Sequence, residues 1–143
     1  IWPKIEVDSR VLKKFEAVKS AALTYALTDH PNLDRSDVKA LFEALRTEIL
    51  ALDTSVSETV LKYYIAFKAE TNFVDVIPKA RWLRLSLNLK FSEIVDPQGM
   101  ATDITGKGRW GNGDVSINFK KIDELPYVIG LIKQSLAKQL NFG

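Results

Sequence analysis

The chain is expected to fold as one α+β domain in two layers, with helices packed on one face of an antiparallel sheet of about four strands. Three observations predict this. Apolar residues recur at helical spacing before residue 53 and again after residue 123. Between these limits the period changes to two, with apolar and polar residues alternating along several short runs. Those runs carry polar residues on one side, as in an antiparallel sheet covered on a single face.

Each element follows in order. In "SRVLKKFEAVKSAALTYAL", Val11, Phe15, Val18, Ala22 and Tyr25 share one helical face, and Asp8 or Ser9 can cap the start. "TDHPNLD" interrupts the pattern at Pro31. A second helix is predicted in "SDVKALFEALRTEILAL", with Val38, Leu41, Phe42, Leu45, Ile49 and Leu52 as its stripe and Ser36 or Asp34 as its cap. "KYYIAFKA" and "NFVDVIP" read as strands joined by a turn at Glu70-Thr71-Asn72. "RWLRLSLNLKF" places Leu83, Leu85, Leu87 and Leu89 on one face. Trp82, Arg84, Ser86, Asn88 and Lys90 take the other. "DVSINFK" repeats that logic. Asp123 is the expected cap of a last helix whose buried stripe is Leu125, Val128, Ile129, Ile132, Leu136 and Leu140. Pro126 falls in its first turn, where no helical hydrogen bond is lost. Residues 92–113 are left as a long irregular stretch, a length usually associated with function.

The length suits a single domain over 1–143, with residues 1–33 as an N-terminal helix and connector and residues 34–143 as the α+β core. The lone methionine is Met100, and the chain is expected to be the C-terminal part of a longer protein. No run of about 18 apolar residues marks a membrane span, and no basic-then-apolar leader opens the chain. These features fit the cytoplasm. With no cysteine, disulfides, thiolate nucleophiles and Cys-ligated zinc are excluded.

Net charge is +2, but it is unevenly distributed. Residues 1–59 hold 8 Lys/Arg against 10 Asp/Glu, residues 60–121 hold 10 against 6, and residues 122–143 hold 2 against 2. The basic surplus therefore lies in the strand-rich middle. Cations there alternate with aromatic rings: Lys62, Tyr64, Lys68, Trp82, Arg84, Lys90 and Lys120 all fall on the polar side. Cations neutralise phosphates and rings stack on bases, so this face suits nucleic acid. It equally suits an ordinary solvated face or a docked protein partner, since Trp, Tyr and Arg anchor interfaces.

The stretch "TGKGRWGNGDVSINF" is a second candidate. Asn112-Gly113 before an alternating strand is a strong turn signal. The glycines alone can serve that turn, with Trp110 folded back as a plug on the core. Alternatively, Lys107 and Arg109 stand on a tip where Trp110 stacks on a base. His30, the single histidine, reads as a loop-ordering group. Asp75, Glu93, Asp96, Asp103 and Asp114 are scattered, whereas metal-dependent hydrolysis needs clustered acids. No catalytic residue, metal site or cofactor is therefore expected.

The order of Asn72-Phe73-Val74-Asp75, Asp96-Pro97-Gln98-Gly99, Trp110-Gly111-Asn112-Gly113-Asp114 and Asp123-Glu124-Leu125-Pro126-Tyr127 resembles a known family over roughly residues 24–140. That family is the uncharacterised C-terminal domain of bacterial and archaeal nuclease-like proteins. Its hosts include type IV restriction endonucleases of the GmrSD kind and so-called predicted transport proteins. Arg109 departs from the family pattern, which carries His before the Trp. More distantly, the strand-then-helix ending is similar to the YjbR type of double-wing fold. The resemblance implies an upstream nuclease-like domain as partner. The resulting expectation is a non-catalytic accessory domain of a restriction-type protein that binds nucleic acid or positions the catalytic module. Its binding residues would be Lys107, Arg109, Trp110, Trp82, Arg84 and Lys90. A protein-interaction or homodimerisation module and a binder of small molecules or modified nucleotides are the alternatives.

Overall fold

A computed structural model describes residues 25–107 and 113–140. The first predicted helix lies almost entirely outside the described residues. Where they begin, two 3-10 turns, Leu27–Asp29 and Pro31–Asp34, lead into helix α1 (Ser36–Leu50). Six strands follow among the described residues: β1 (Ser57–Val60), β2 (Ile65–Lys68), β3 (Asn72–Pro78), β4 (Leu83–Leu87), β5 (Thr102–Asp103) and β6 (Val115–Phe119). Helix α2 (Leu125–Gln139) closes the fold. The domain is α+β, with an open, wholly antiparallel sheet in the order β1-β2-β3-β4-β6-β5.

The expected count of about four strands is thus corrected to six. The two additions lie at the sheet edges, where side chains need not alternate between core and water. β1, "SETV", pairs with β2 through a turn in which Leu61 N–H donates to Tyr64 O at 2.9 Å. Lys62, Tyr63 and Tyr64, expected in a strand, therefore belong to that turn. β5 lies inside the stretch expected to be irregular and adds to the far side of β6.

Period-two patterning was the stronger signal for the four inner strands. Leu83, Leu85 and Leu87 are fully buried, as are Val115 and Phe119, and Ile117 is nearly so. Val74 and Val76 pair with Leu87 and Leu85, giving one continuous apolar surface. Val38, Leu41, Phe42, Leu45 and Ile49 of α1 join the same core, as do Val128, Ile129, Leu131, Ile132 and Leu136 of α2. Burying a side chain of this kind contributes roughly 1.5–3 kcal/mol. One polar bond crosses the core, from the buried Ser135 hydroxyl to the Phe73 carbonyl at 2.6 Å.

The predicted caps are corrected as well. Arg35 precedes α1 without a side-chain cap, and Asp37 instead accepts from Val38 N–H at 2.9 Å. Before α2 a 3-10 turn (Ile122–Glu124) intervenes, and Glu124 rather than Asp123 accepts N–H groups, from Lys120 and Lys121. A longer side chain reaches back over that extra turn.

Arg46 of α1 holds Glu58 of the edge strand through two parallel bonds, Nε to Oε2 at 2.6 Å and Nη2 to Oε1 at 2.9 Å. The Glu58 hydrogen bond is the main cause raising the Arg46 pKa. Arg46→Lys keeps the charge but loses the fork, and a urea titration should show a loss of about 0.5–1 kcal/mol.

Candidate functional site

Strand pairing decides which polar residues meet. Arg84 of β4 lies opposite Asn118 of β6, and Ser86 lies opposite Ser116. Ser86 is also paired with Asp75 of β3, and Ser116 with Thr102 of β5. Paired positions share a face, so these residues form two rows on the side away from Leu85 and Ile117. The sequence suggests that this side faces solvent. Instead Asp75 is 0% exposed, Ser86 3% and Ser116 6%. Asp75, Ser86 and Ser116 are therefore covered, while Thr102 and Asn118 remain exposed.

Asp75 accepts from the Asn72 side-chain amide at 3.2 Å. Burial pushes the Tyr64 phenol up, and the negative charge of Asp75 adds to that rise.

Beside the covered residues a groove of about 590 Å³ opens. Its lining comes from three places. Lys79, Ala80 and Trp82 belong to the β3–β4 turn, closed by Lys79 N–H donating to Trp82 O at 2.9 Å. Arg84, Ser116 and Asn118 come from the neighbouring strands β4 and β6. Thr102, Ile104 and Lys107 come from β5 and the turn after it, where Lys107 N–H donates to Ile104 O at 3.0 Å. Asp103 fixes this turn by accepting from both the N–H and the hydroxyl of Thr105, which lowers its pKa.

Of the expected binding residues, Trp82, Arg84 and Lys107 thus meet in one groove. Lys90 does not line it. β4 ends at Leu87, and Lys90 starts a 3-10 turn (Phe91–Glu93) in which its N–H donates to Glu93 at 2.9 Å. Arg109 and Trp110 lie outside the described residues. Sequence reasoning missed Lys79, Thr102 and Ile104. The cue for Lys79 was its place just after Pro78, where a strand must end in a turn.

The groove lining holds three cations and no carboxylate or imidazole. Arg84 is half-buried, and its Nε–H donates to Ser116 Oγ at 3.1 Å. Lys120 sits over the Trp82 ring, 5.7 Å from its centroid. The Trp82 indole N–H is buried without an acceptor, a condition that costs about 1–3 kcal/mol. Among the described residues no three His, Asp or Glu side chains cluster as metal ligands.

A second constellation binds the long loop to α2. Asp96 accepts from the Tyr127 hydroxyl, from Ala101 N–H at 2.7 Å and from Met100 N–H at 3.2 Å. Tyr127 in turn accepts from Gln98 N–H at 2.9 Å. Gly99 follows at φ +68°, donating its N–H to Asp96 O at 3.0 Å. His30 ties two segments together in a similar way, with its ring buried and Nε2 2.7 Å from Leu61 O.

The family described as "Domain of unknown function (DUF5655)" matches residues 28–136, which take in every element from Leu27–Asp29 to α2 except the ends. The chain belongs to the DUF5655 family. An "Uncharacterized protein" of Haemophilus influenzae is 31% identical over 135 residues, covering 94% of this chain. The chain spans 44% of that relative's length. No solved structure matches this DUF5655 chain. Within the DUF5655 match lie the groove, the Asp96–Tyr127 constellation and the His30 contact. No helix among the described residues is long and apolar enough to cross a membrane.

Proposed function

We propose that this DUF5655 domain is an accessory module of a nuclease- or restriction-type protein, binding nucleic acid through the groove beside β4 and β6. The observation that carries this reading is the all-cationic charge of a concave site that also contains an indole. Cations supply affinity by displacing counterions from phosphates, and an aromatic ring gives a sequence-tolerant stacking surface. The lining offers no carboxylate or imidazole beside its cations, and the role proposed is binding rather than chemistry. In this reading the helices form a supporting layer behind the sheet, and Arg109 and Trp110 stay in the proposed binding set on the strength of the sequence alone.

Fluorescence anisotropy with labelled DNA, titrated across salt, tests the reading. Micromolar affinity at low salt is expected, weakening about 0.7 log units per log unit of salt for each single-strand phosphate neutralised. Three groove cations predict a slope near −2 by that rule. Affinity that ignores salt would sink the proposal. A mass that rises with protein concentration in sedimentation, without DNA binding, would favour the dimerisation alternative.

A further inference from the structure

We infer that the groove is a subsite for one unpaired nucleotide, with its phosphate at Arg84 and Lys79 and its base beside Trp82. The inference rests on the nucleic-acid reading and narrows it from a charged surface to a single receptor site. Arg84 provides the first ground. Its guanidinium is half-buried, yet its one hydrogen bond goes to a neutral hydroxyl, and no carboxylate among the described residues pairs with it. Desolvation makes an unpaired cation costly, and a bound anion removes that cost. The free edge of a guanidinium matches the paired oxygens of a phosphate.

Lys79 is the second ground. It lines the same groove half-buried, and no carboxylate among the described residues pairs with it either. Arg84 and Lys79 therefore bring two positive charges to the groove with no described carboxylate paired to either. Trp82 is the third: a buried indole donor without an acceptor stands beside those cations. A nucleotide brings an anion, ring acceptors and a planar face together. Inorganic phosphate would offer no planar face to the indole ring, and a neutral aromatic would leave the cations unsatisfied.

Concavity then selects the form of the strand. In a duplex the base faces are stacked inside, so only the backbone and the base edges in the grooves meet a protein surface. A groove flanked by the β3–β4 turn and the β5 segment can admit a base only from an unpaired position.

The test compares the full chain with Lys79→Gln/Arg84→Gln and with a charge-matched control, Lys39→Gln/Lys133→Gln, whose lysines are exposed on the two helices. Each is titrated with a labelled oligothymidylate, the corresponding duplex and thymidine 5′-monophosphate. The indole N–H resonance of Trp82, assigned by Trp82→Phe, is followed by NMR. Circular dichroism confirms that all forms fold. The expected result is at least tenfold tighter binding of single strand than of duplex. The groove variant should lose tenfold or more and the control less than threefold, and the Trp82 resonance should move on binding. Monophosphate binding that shifts Trp82 while strands do not bind would assign the groove to free nucleotides. That outcome overturns the strand reading and leaves the subsite standing. Strand binding that both variants weaken equally, with Trp82 unmoved, overturns the subsite and leaves the nucleic-acid reading intact. No response to any of the three probes overturns both.

Discussion

Gly113→Ala should destabilise the domain by at least about 3 kcal/mol, the largest single-site loss expected among the described glycines. Two costs combine there. Gly113 has φ +91°, a region that L side chains rarely adopt. A Cβ on it would also lie 1.9 Å from Leu87 O and 2.6 Å from Asn88 Cα. Both are backbone atoms at the end of a central strand, so no rotamer change relieves the clash. Gly99→Ala is the proper control, because its φ is similarly positive but nothing lies within 4 Å of the added carbon. It should lose only about 1–2 kcal/mol, the cost of the left-handed conformation alone. Urea midpoints with unchanged slopes would measure both. A Gly113→Ala loss no larger than that of Gly99→Ala would show that the contact at Leu87 is not limiting. Asn112-Gly113 is thus a structural requirement at its second residue, whatever its neighbours bind.

Asp96→Ala is expected to cost about 2 kcal/mol at neutral pH, since it removes a charged acceptor shared by three donors. The site is partly open to water, which keeps the loss below that of a fully buried network. Burial by itself pushes the Asp96 carboxyl up. The bonds from Tyr127, Ala101, Met100 and Gly99 together outweigh it and hold the carboxyl below the usual aspartate range. A depressed folded pKa means that the stabilisation is present above the unfolded value of about 3.9 and fades as pH falls through the folded one. The gap between wild type and Asp96→Ala should therefore be widest above pH 5 and shrink in acid. Tyr127→Phe should move stability in the same direction by a smaller amount. A gap independent of pH between 3 and 7 would show that the carboxylate form is not what the loop needs.

The parts of the fold that were legible in the sequence are those where burial enforces a period. Leu83 to Leu87 and Val115 to Phe119 alternate because one side of each strand meets the core. The helical stripes of α1 and α2 obey the same rule at a different spacing. β1 and β5 were not legible, because an edge strand of Ser57 to Val60 and a two-residue strand at Thr102–Asp103 are specified by their partners. The candidate site divides in the same way. Alternation marked Trp82 and Arg84 as polar-side residues. Lys79 and Ile104 join them only because a hairpin turn and a loop some 20 residues further on converge, which no local pattern records. Burial of Asp75 and Ser86 was hidden too, because alternation marks the side of a strand and not whether that side is covered.

The strand order also bears on how copies of this domain can meet. Open sheets can grow by edge-to-edge pairing, which is the usual route to misassembly. Here one border strand is only two residues long, so it presents very few backbone groups to a newcomer. The opposite border carries Glu58, pinned in place by Arg46, so an intruding strand would have to disrupt an ion pair. Strand capture is blunted at both ends. Self-association through the described sheet is therefore expected to use side chains on its faces, with contacts sensitive to surface substitutions rather than propagating along the backbone into fibres.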